Sequence, residues 1–271
     1  MLVSVIVTTK NEEKNIKNAL DSIKAQTYPK ANIQIIVVDN NSTDKTKEIA
    51  HAYTDMVFNL GPERSAQRNF GVSKAQGEYF LFIDADMILD KNVISDCVQK
   101  VQANPNIVGV YVSEVIMGES LFNRIRRFER SFYDKTAIDG VRFIKKASFE
   151  AIGGFDEALF GGEDWDMDKR LRALGSTEYV ASPVYHNESD LTLIKYLAKK
   201  DYYIKSLDEY IAKWGADDID VKRQFSPYYR FLVVFLEDGK WKRFITLPHL
   251  AIGIYFIKFL VGIRFLLRKK G

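Results

Sequence analysis

Two aspartates, Asp84 and Asp86, directly follow the apolar run Tyr79-Phe80-Leu81-Phe82-Ile83. In extended backbone, residues two apart face the same side. Hard carboxylate oxygens suit Mg²⁺ or Mn²⁺, which take one or two protein carboxylates and fill the rest of their shell with phosphate oxygens and water. The plainer alternative is a pair of turn or cap aspartates before a helix at Asn92. A second acidic cluster, Asp39-Asn40-Asn41-Ser42-Thr43-Asp44, ends the apolar run Ile33 to Val38. An acidic residue there can bond a ribose hydroxyl or a base N–H. Ser42 or Thr43 is expected to cap the following helix, and capping then leaves Asp39 unexplained. A third cluster, Gly161-Gly162-Glu163-Asp164-Trp165-Asp166, opens a helix. The helix dipole alone favours acidic residues at such a start, which accounts for Glu163 or Asp166. It does not account for the glycines, which admit a closely approaching ligand, or for Trp165, an aromatic plane beside them.

These clusters need a scaffold. Leu2 to Thr8 is a β-branched apolar run, hence a buried strand. Glu12 to Ala25 carries Ile16, Ala19, Leu20 and Ile23 at helical spacing. Ile33–Val38, Met56–Asn59 and Tyr79–Ile83 read as strands, and Ser65 to Ala75 as a helix ending near Gly77. The series is βαβ, which predicts an α/β fold with a mostly parallel sheet and helices on both faces. Ligands bind beyond the carboxyl ends of such strands. Three polar clusters fall there: Thr8 to Asn11, Asp39 to Asp44, and Asp84 to Asp86. Further on, Ile107–Ser113 and Gly140–Lys145 read as strands with a helix, Leu121–Lys135, between them. After His186 the alternation stops, which divides the chain into residues 1–190 and a helical remainder, 191–271.

Composition narrows the function. The chain has 271 residues, 46% hydrophobic, with a net charge of +3. That is a globular protein, and its charge is too small to argue for nucleic acid. The single cysteine, Cys97, allows no internal disulfide and is expected to pack. Leu2 to Thr8 is too short for a secretory signal, so the chain reads as cytosol-facing.

Together, Val5-Ile6-Val7-Thr8-Thr9-Lys10-Asn11-Glu12, Val37-Val38-Asp39-Asn40-Asn41-Ser42-Thr43-Asp44, Arg64-Ser65-Ala66-Gln67-Arg68-Asn69-Phe70-Gly71 and Gly77 to Asp86 resemble the family-2 glycosyltransferases in order and spacing. The resemblance covers residues 2 to 190 and implies the GT-A fold. It implies a nucleotide-sugar donor, UDP- or GDP-linked, with Thr8, Asn11 and Asp39 at the nucleoside. It puts Arg64 or Arg68 near the diphosphate, Asp84 near the ribose, and Asp86 on the metal. Glu163-Asp164 is similar to the family's acidic pair, whose Asp is the general base, so Asp164 takes that role and Glu163 orients the acceptor. Trp165 can stack on a sugar face. His186 is by itself a structural hydrogen-bonder; the resemblance makes it a metal ligand. A positioned carboxylate that takes the acceptor proton contributes roughly 10²–10⁴-fold. The resemblance further implies inversion by single displacement.

Other readings stay open. A nucleotidyltransferase shares the sheet and the metal but needs a Gly-rich loop after the first strand, where this chain has Thr8-Thr9-Lys10-Asn11-Glu12. A non-catalytic nucleotide-sugar binder needs no Glu163-Asp164 pair. A polyprenyl-phosphate sugar synthase accepts with an ionised phosphate and needs no base. No Gln-x-x-Arg-Trp motif is present, which favours transfer of one sugar over polymer synthesis.

From Phe244 to Leu267 the chain is nearly all apolar, long enough to span a bilayer. Pro248, His249, Lys258 and Arg264 interrupt it, and Arg268-Lys269-Lys270 follow, as basic residues do beside anionic headgroups. Upstream, Lys195, Lys199, Lys200 and Lys205 alternate with Leu197, Tyr202, Tyr203 and Ile204. The expectation is a helix in or against the cytosolic leaflet, on the cytoplasmic face of the membrane, close to a glycan or lipid-linked acceptor.

Overall fold

The computed structural model describes residues 1–268. One eight-stranded sheet organises them, in the order β3-β2-β1-β4-β7-β6-β8-β5. The first four in chain order are β1 (Val3–Thr9), β2 (Ile33–Asp39), β3 (Val57–Asn59) and β4 (Tyr79–Asp84), all paired in parallel. The second four are β5 (Met87–Leu89), β6 (Ile107–Met117), β7 (Phe143–Lys145) and β8 (Ser176–Asn187). Here the expectation of a mostly parallel sheet needs correction. β7 runs antiparallel to both β4 and β6, and β5 runs antiparallel to β8; only β6 and β8 are parallel in this half. The βαβ alternation ends after β4, and with it the crossover helices that keep strands parallel.

Alternation along β1 shows how the layers form. Val3, Val5 and Val7 point to one face, where α1 (Ile16–Lys24), α2 (Thr46–His51) and α4 (Val93–Ala103) pack. Ile6 points to the other, toward α3 (Arg64–Lys74), α6 (Lys146–Ala151) and α7 (Glu163–Arg172). All seven residues of β1 are buried, as a strand covered on both faces requires. Cys97 is buried in the α4 layer, and that burial pushes its thiol pKa up, so it packs rather than reacts.

Beyond β8 the chain is helical: α8 (Leu193–Trp214), α9 (Ile219–Phe225), α10 (Val234–Leu236), α11 (Trp241–Thr246) and α12 (Pro248–Arg268). These helices share a core with α5 (Leu121–Arg130). Ile125, Phe128 and Phe132 meet Tyr196, Phe235 and Ile254 in one cluster. Among the described residues, no helix is long and apolar enough to cross a membrane. Its interrupting charge Lys258 is turned inward, 3.2 Å from Glu129 and 3.0 Å from the Tyr133 hydroxyl. Arg264 pairs with Asp201 of α8. The outward stripe is apolar: Ile252, Phe256 and Phe259 are 71%, 57% and 61% exposed. Of the basic end, Lys269 and Lys270 lie outside the described residues.

Candidate active site

The site gathers at the carboxyl ends of β1, β2 and β4. Thr8 lies beside Asp84 in the β1–β4 register, and its hydroxyl donates to Asp84 Oδ1 at 2.7 Å. α3 then brings two arginines, one turn apart and so on one face, over the same carboxylate. Arg64 Nη1 is 3.4 Å from Asp84 Oδ2, and Arg68 Nη2 is 3.3 Å from Oδ1. Burial opposes charge on Asp84, but Arg68 and Arg64 outweigh it and hold its pKa well below the usual carboxylate range.

The two arginines differ in a way the sequence could not decide. Arg68 is 1% exposed, with its guanidinium 4.3 Å from the Phe82 ring centre and 5.3 Å from that of Phe155. It reaches from Asp84 to Asp164, donating to Asp164 Oδ1 at 2.9 Å. Arg64 keeps a third of its side chain exposed and spans Asp84, Glu163 Oε1 at 3.2 Å and the Tyr203 hydroxyl at 3.0 Å. Arg64 is therefore the arginine an incoming anion can reach, and Arg68 is the strut beneath.

α7 supplies the acidic pair. Gly162 caps it with φ of +86°, a left-handed conformation natural to glycine. Glu163 is buried, and that burial raises its pKa, with Asp164 adding to the rise. Asp164 is 39% exposed at its side chain, and Arg68 holds only one of its oxygens. The glycines serve a different end from the one expected. A Cβ on Gly161 would come within 2.4 Å of the Tyr203 carbonyl oxygen. The space is used by the backbone of α8, whose Ser206 hydroxyl receives the Gly161 N–H at 2.7 Å. Trp165 also departs from expectation. Its indole packs edge-on against Tyr210 and Phe225 and donates to the Ile138 carbonyl at 3.0 Å, so it buttresses α7 from behind.

The β2 loop closes on itself. Asp39 is fully buried, and its carboxylate accepts from the backbone N–H of Ser42 at 2.7 Å and from its hydroxyl at 2.5 Å. Ser42 and Thr43 do not cap α2, which starts only at Thr46; Asp44 accepts from the Thr46 N–H instead, at 3.0 Å. Asn11, at φ of +53°, ties the β1 loop to this one: its side-chain oxygen receives the Thr43 N–H at 2.9 Å.

Asp86 and His186 meet 3.2 Å apart, although 100 residues separate them. The short strand β5 brings this about by pairing Met87 with His186 across β8. The other ring nitrogen, Nδ1, lies 2.9 Å from Glu114 of β6, a residue the sequence gave no reason to single out. Arg142 donates to Glu114 at 2.7 Å. Burial disfavours charge on His186, yet Asp86 and Glu114 together raise its pKa to about 10. Asp86 Oδ1 is buried without a hydrogen-bond partner. Among the described residues, no group of three or more His, Cys, Asp or Glu is arranged to hold a metal by itself. Asp86 and His186 fit a cation that takes two protein ligands, provided the ion displaces the proton that His186 Nε2 otherwise shares with Asp86; Glu114 then fixes the ring through Nδ1 as an outer partner. Both line a cleft of about 390 Å³, together with Glu12, Glu188 and Lys199. Burial raises the pKa of Glu12, the hydrogen bond from Asn15 opposes this, and Asp86 and Asp84 add to the rise.

Residues 4–153 match glycosyl transferase family 2. The chain belongs to that family. This family-2 glycosyltransferase is 27% identical over 249 residues to glycosyltransferase AglE of Haloferax volcanii, covering 86% of this chain and 81% of that one. It is 37% identical over 106 residues to the poly(ribitol-phosphate) β-N-acetylglucosaminyltransferase TarS of Staphylococcus aureus, a stretch covering 35% of this chain and 18% of TarS. Among solved structures, the mannosyltransferase PcManGT of Pyrobaculum calidifontis, in complex with GDP-Man and Mn²⁺, superposes with a TM-score of 0.65 at 20% identity. That alignment covers 98% of this chain and 87% of PcManGT. TarS residues 1–349 with UDP-GlcNAc give 0.56 at 20% identity, over 94% of this chain and 79% of that one. The family-2 glycosyltransferase thus has the GT-A fold.

Proposed function

We propose that this enzyme transfers one sugar from a UDP- or GDP-linked donor to a hydroxyl of a glycan acceptor, with inversion at the anomeric carbon. The observation that carries the reading is the convergence of Asp84 and Asp164 on the single buried guanidinium of Arg68. It sets a donor-side carboxylate and a half-exposed carboxylate at the two ends of one strut. Arg64, beside them and open to solvent, is the donor's diphosphate contact. The solved relatives bound to UDP-GlcNAc and to GDP-Man support a nucleotide sugar as donor.

The acceptor hydroxyl is a poor nucleophile until its proton is taken. Asp164 Oδ2 has no hydrogen-bond partner among the described residues, while Arg68 fixes Oδ1. Oδ2 takes the proton as the new bond forms on the face opposite the departing diphosphate. Glu163, buried beneath and bonded by Arg64, couples the diphosphate contact to the acceptor side. Asp86 and His186 would hold Mg²⁺ or Mn²⁺. Such an ion neutralises the charge that develops on the leaving diphosphate.

The enzyme works on the cytosolic face of a membrane. Ile252, Phe256 and Phe259 continue to Ile263 at helical spacing, one outward stripe on α12, and Lys242 and Arg243 precede it. A helix with an apolar outer stripe and basic neighbours lies in the interface plane. That position suits a lipid-linked acceptor. Incubating the full chain with a panel of UDP- and GDP-sugars, with Mn²⁺, tests the donor reading. Release of free nucleotide from one donor is expected; no binding or turnover of any nucleotide sugar would overturn it.

A further inference from the structure

Behind the acidic cleft, α5, α8 and α12 enclose a cluster of charges that the transfer reaction does not use. Arg126 of α5 donates to Glu129 at 3.0 Å and to Glu188 at 3.4 Å. Lys258 of α12 adds its contact with Glu129. Those two carboxylates are the cluster's acidic complement, and Arg126 and Lys258 already balance them. Two further cations remain. Lys200 of α8 and Arg230, just ahead of α10, have no carboxylate or carbonyl partner among the described residues. Each faces an aromatic ring instead. Lys200 Nζ is 5.2 Å from the centre of Tyr196, whose ring also carries the Arg126 guanidinium at 4.6 Å. The Arg230 guanidinium is 5.7 Å from the centre of Tyr133.

Two donors inside the cluster are also unspent or strained. Arg126 Nε is buried with no partner. Burial lowers the pKa of Lys200 to about 7, and the neighbouring charges of Arg126 and Arg230 push it the same way. Lys200 and Arg230 are half-buried; cations drawn partly out of water without a counter-charge cost free energy, and an anion supplied from outside removes that cost. One orphan acceptor, Glu188 Oε2, sits at the edge and would repel an anion placed against it. It directs the site toward Lys200 and Arg230. The neighbouring residues place this site in the enzyme. Lys199 and Glu188 line the cleft that holds Asp86 and His186. On the far side, α12 carries the outward apolar stripe.

We propose that Arg126, Lys200 and Arg230 form a second anion site, which receives the phosphate or diphosphate linking a glycan acceptor to its lipid. The inference rests on the reading of the chain as a glycosyltransferase with a lipid-linked acceptor, and it names the group by which that acceptor is held. An Arg pair with a lysine suits a multivalent phosphoryl oxygen set, the guanidinium fork by two parallel bonds and the ammonium as a point charge. The glycan then extends from this anchor toward Asp164 while the lipid tail follows α12 into the leaflet.

The test uses the full chain in excess chelator, where no metal can draw a diphosphate to Asp86. Inorganic diphosphate is titrated calorimetrically into the wild type, into the double variant Lys200→Gln/Arg230→Gln, and into Asp86→Ala. Binding by the wild type and by Asp86→Ala is expected, and at least tenfold weaker binding by the double variant. Removing surplus cations leaves the fold intact, which a thermal melt checks; Lys200→Gln alone serves if the double variant melts early. Equal binding by all three proteins, or loss in Asp86→Ala, overturns the proposal. Vesicles of anionic phospholipid form a second arm. If they bind through Lys200 and Arg230 while soluble diphosphate does not, the site reads bulk headgroups and the acceptor anchor is wrong. Donor hydrolysis by the double variant is measured in parallel. If it persists at the wild-type rate, the glycosyltransferase reading stands whatever the anion site does.

Discussion

Arg68 donates to Asp164 Oδ1 at 2.9 Å from a position 1% exposed, and the same guanidinium reaches Asp84. The geometry of the proposed base is thus set by a residue that solvent cannot reach. Cutting this link leaves two carboxylates without their shared cation. Truncating one partner of a buried charge pair costs about 3–5 kcal/mol. Arg68→Met is therefore expected to lower unfolding stability by about that amount, read in a urea titration. Arg68→Lys, which keeps the charge but not the fork, should fold and lose at least tenfold in kcat, with donor KM less affected. A variant Arg68→Lys with full kcat would show that the strut does not position Asp164.

Metal removal addresses the other end of the cleft. Transfer should stop in excess chelator and return with added Mn²⁺ or Mg²⁺. Asp86→Ala should not recover with either ion. Glu114→Gln still accepts a hydrogen bond from His186 Nδ1 but loses its charge; metal affinity should fall by about 10–100-fold, the range for such outer partners. Undiminished turnover in chelator would remove Asp86 and His186 from the metal.

Much of this was legible in the sequence, and the limits have physical causes. Strands β1, β2 and β4 are mostly apolar runs, broken only by Ser4 and Gln34 before their polar ends, and those ends announced Thr8, Asp39 and Asp84. Contacts made by strand pairing far along the chain were not legible. β5 has three residues, too few to show a period, yet it alone sets Asp86 beside His186. Glu114 sits inside a long strand with nothing around it to mark a buried carboxylate. Arg64 and Arg68 have equal claims by type, and only burial separates them. Gly161 and Trp165 invited a ligand reading because close approach and stacking serve backbone and core as readily as substrate. Lys258 looked like an obstacle to membrane contact, but helical phase turns it inward and leaves the apolar stripe outside.

That stripe can be tested directly. Phe256→Ser/Phe259→Ser removes two large exposed apolar side chains from α12 without touching its buried face. Each buried phenylalanine contributes about 1.5–3 kcal/mol to partitioning. The full chain should sediment with membranes, and the double variant should shift largely to the soluble fraction while still hydrolysing its donor. A wild-type chain that stays soluble without detergent would contradict the membrane placement.

The account turns on Asp164 as the base that takes the acceptor proton. Asp164→Asn keeps the shape and the contact to Arg68 but cannot accept a proton. Donor affinity and transfer rate should be measured side by side in this variant, with the donor that the wild type turns over. The account predicts unchanged donor affinity and transfer lower by roughly 10²–10⁴-fold. Transfer at the wild-type rate, or a collapse of donor binding, would contradict it.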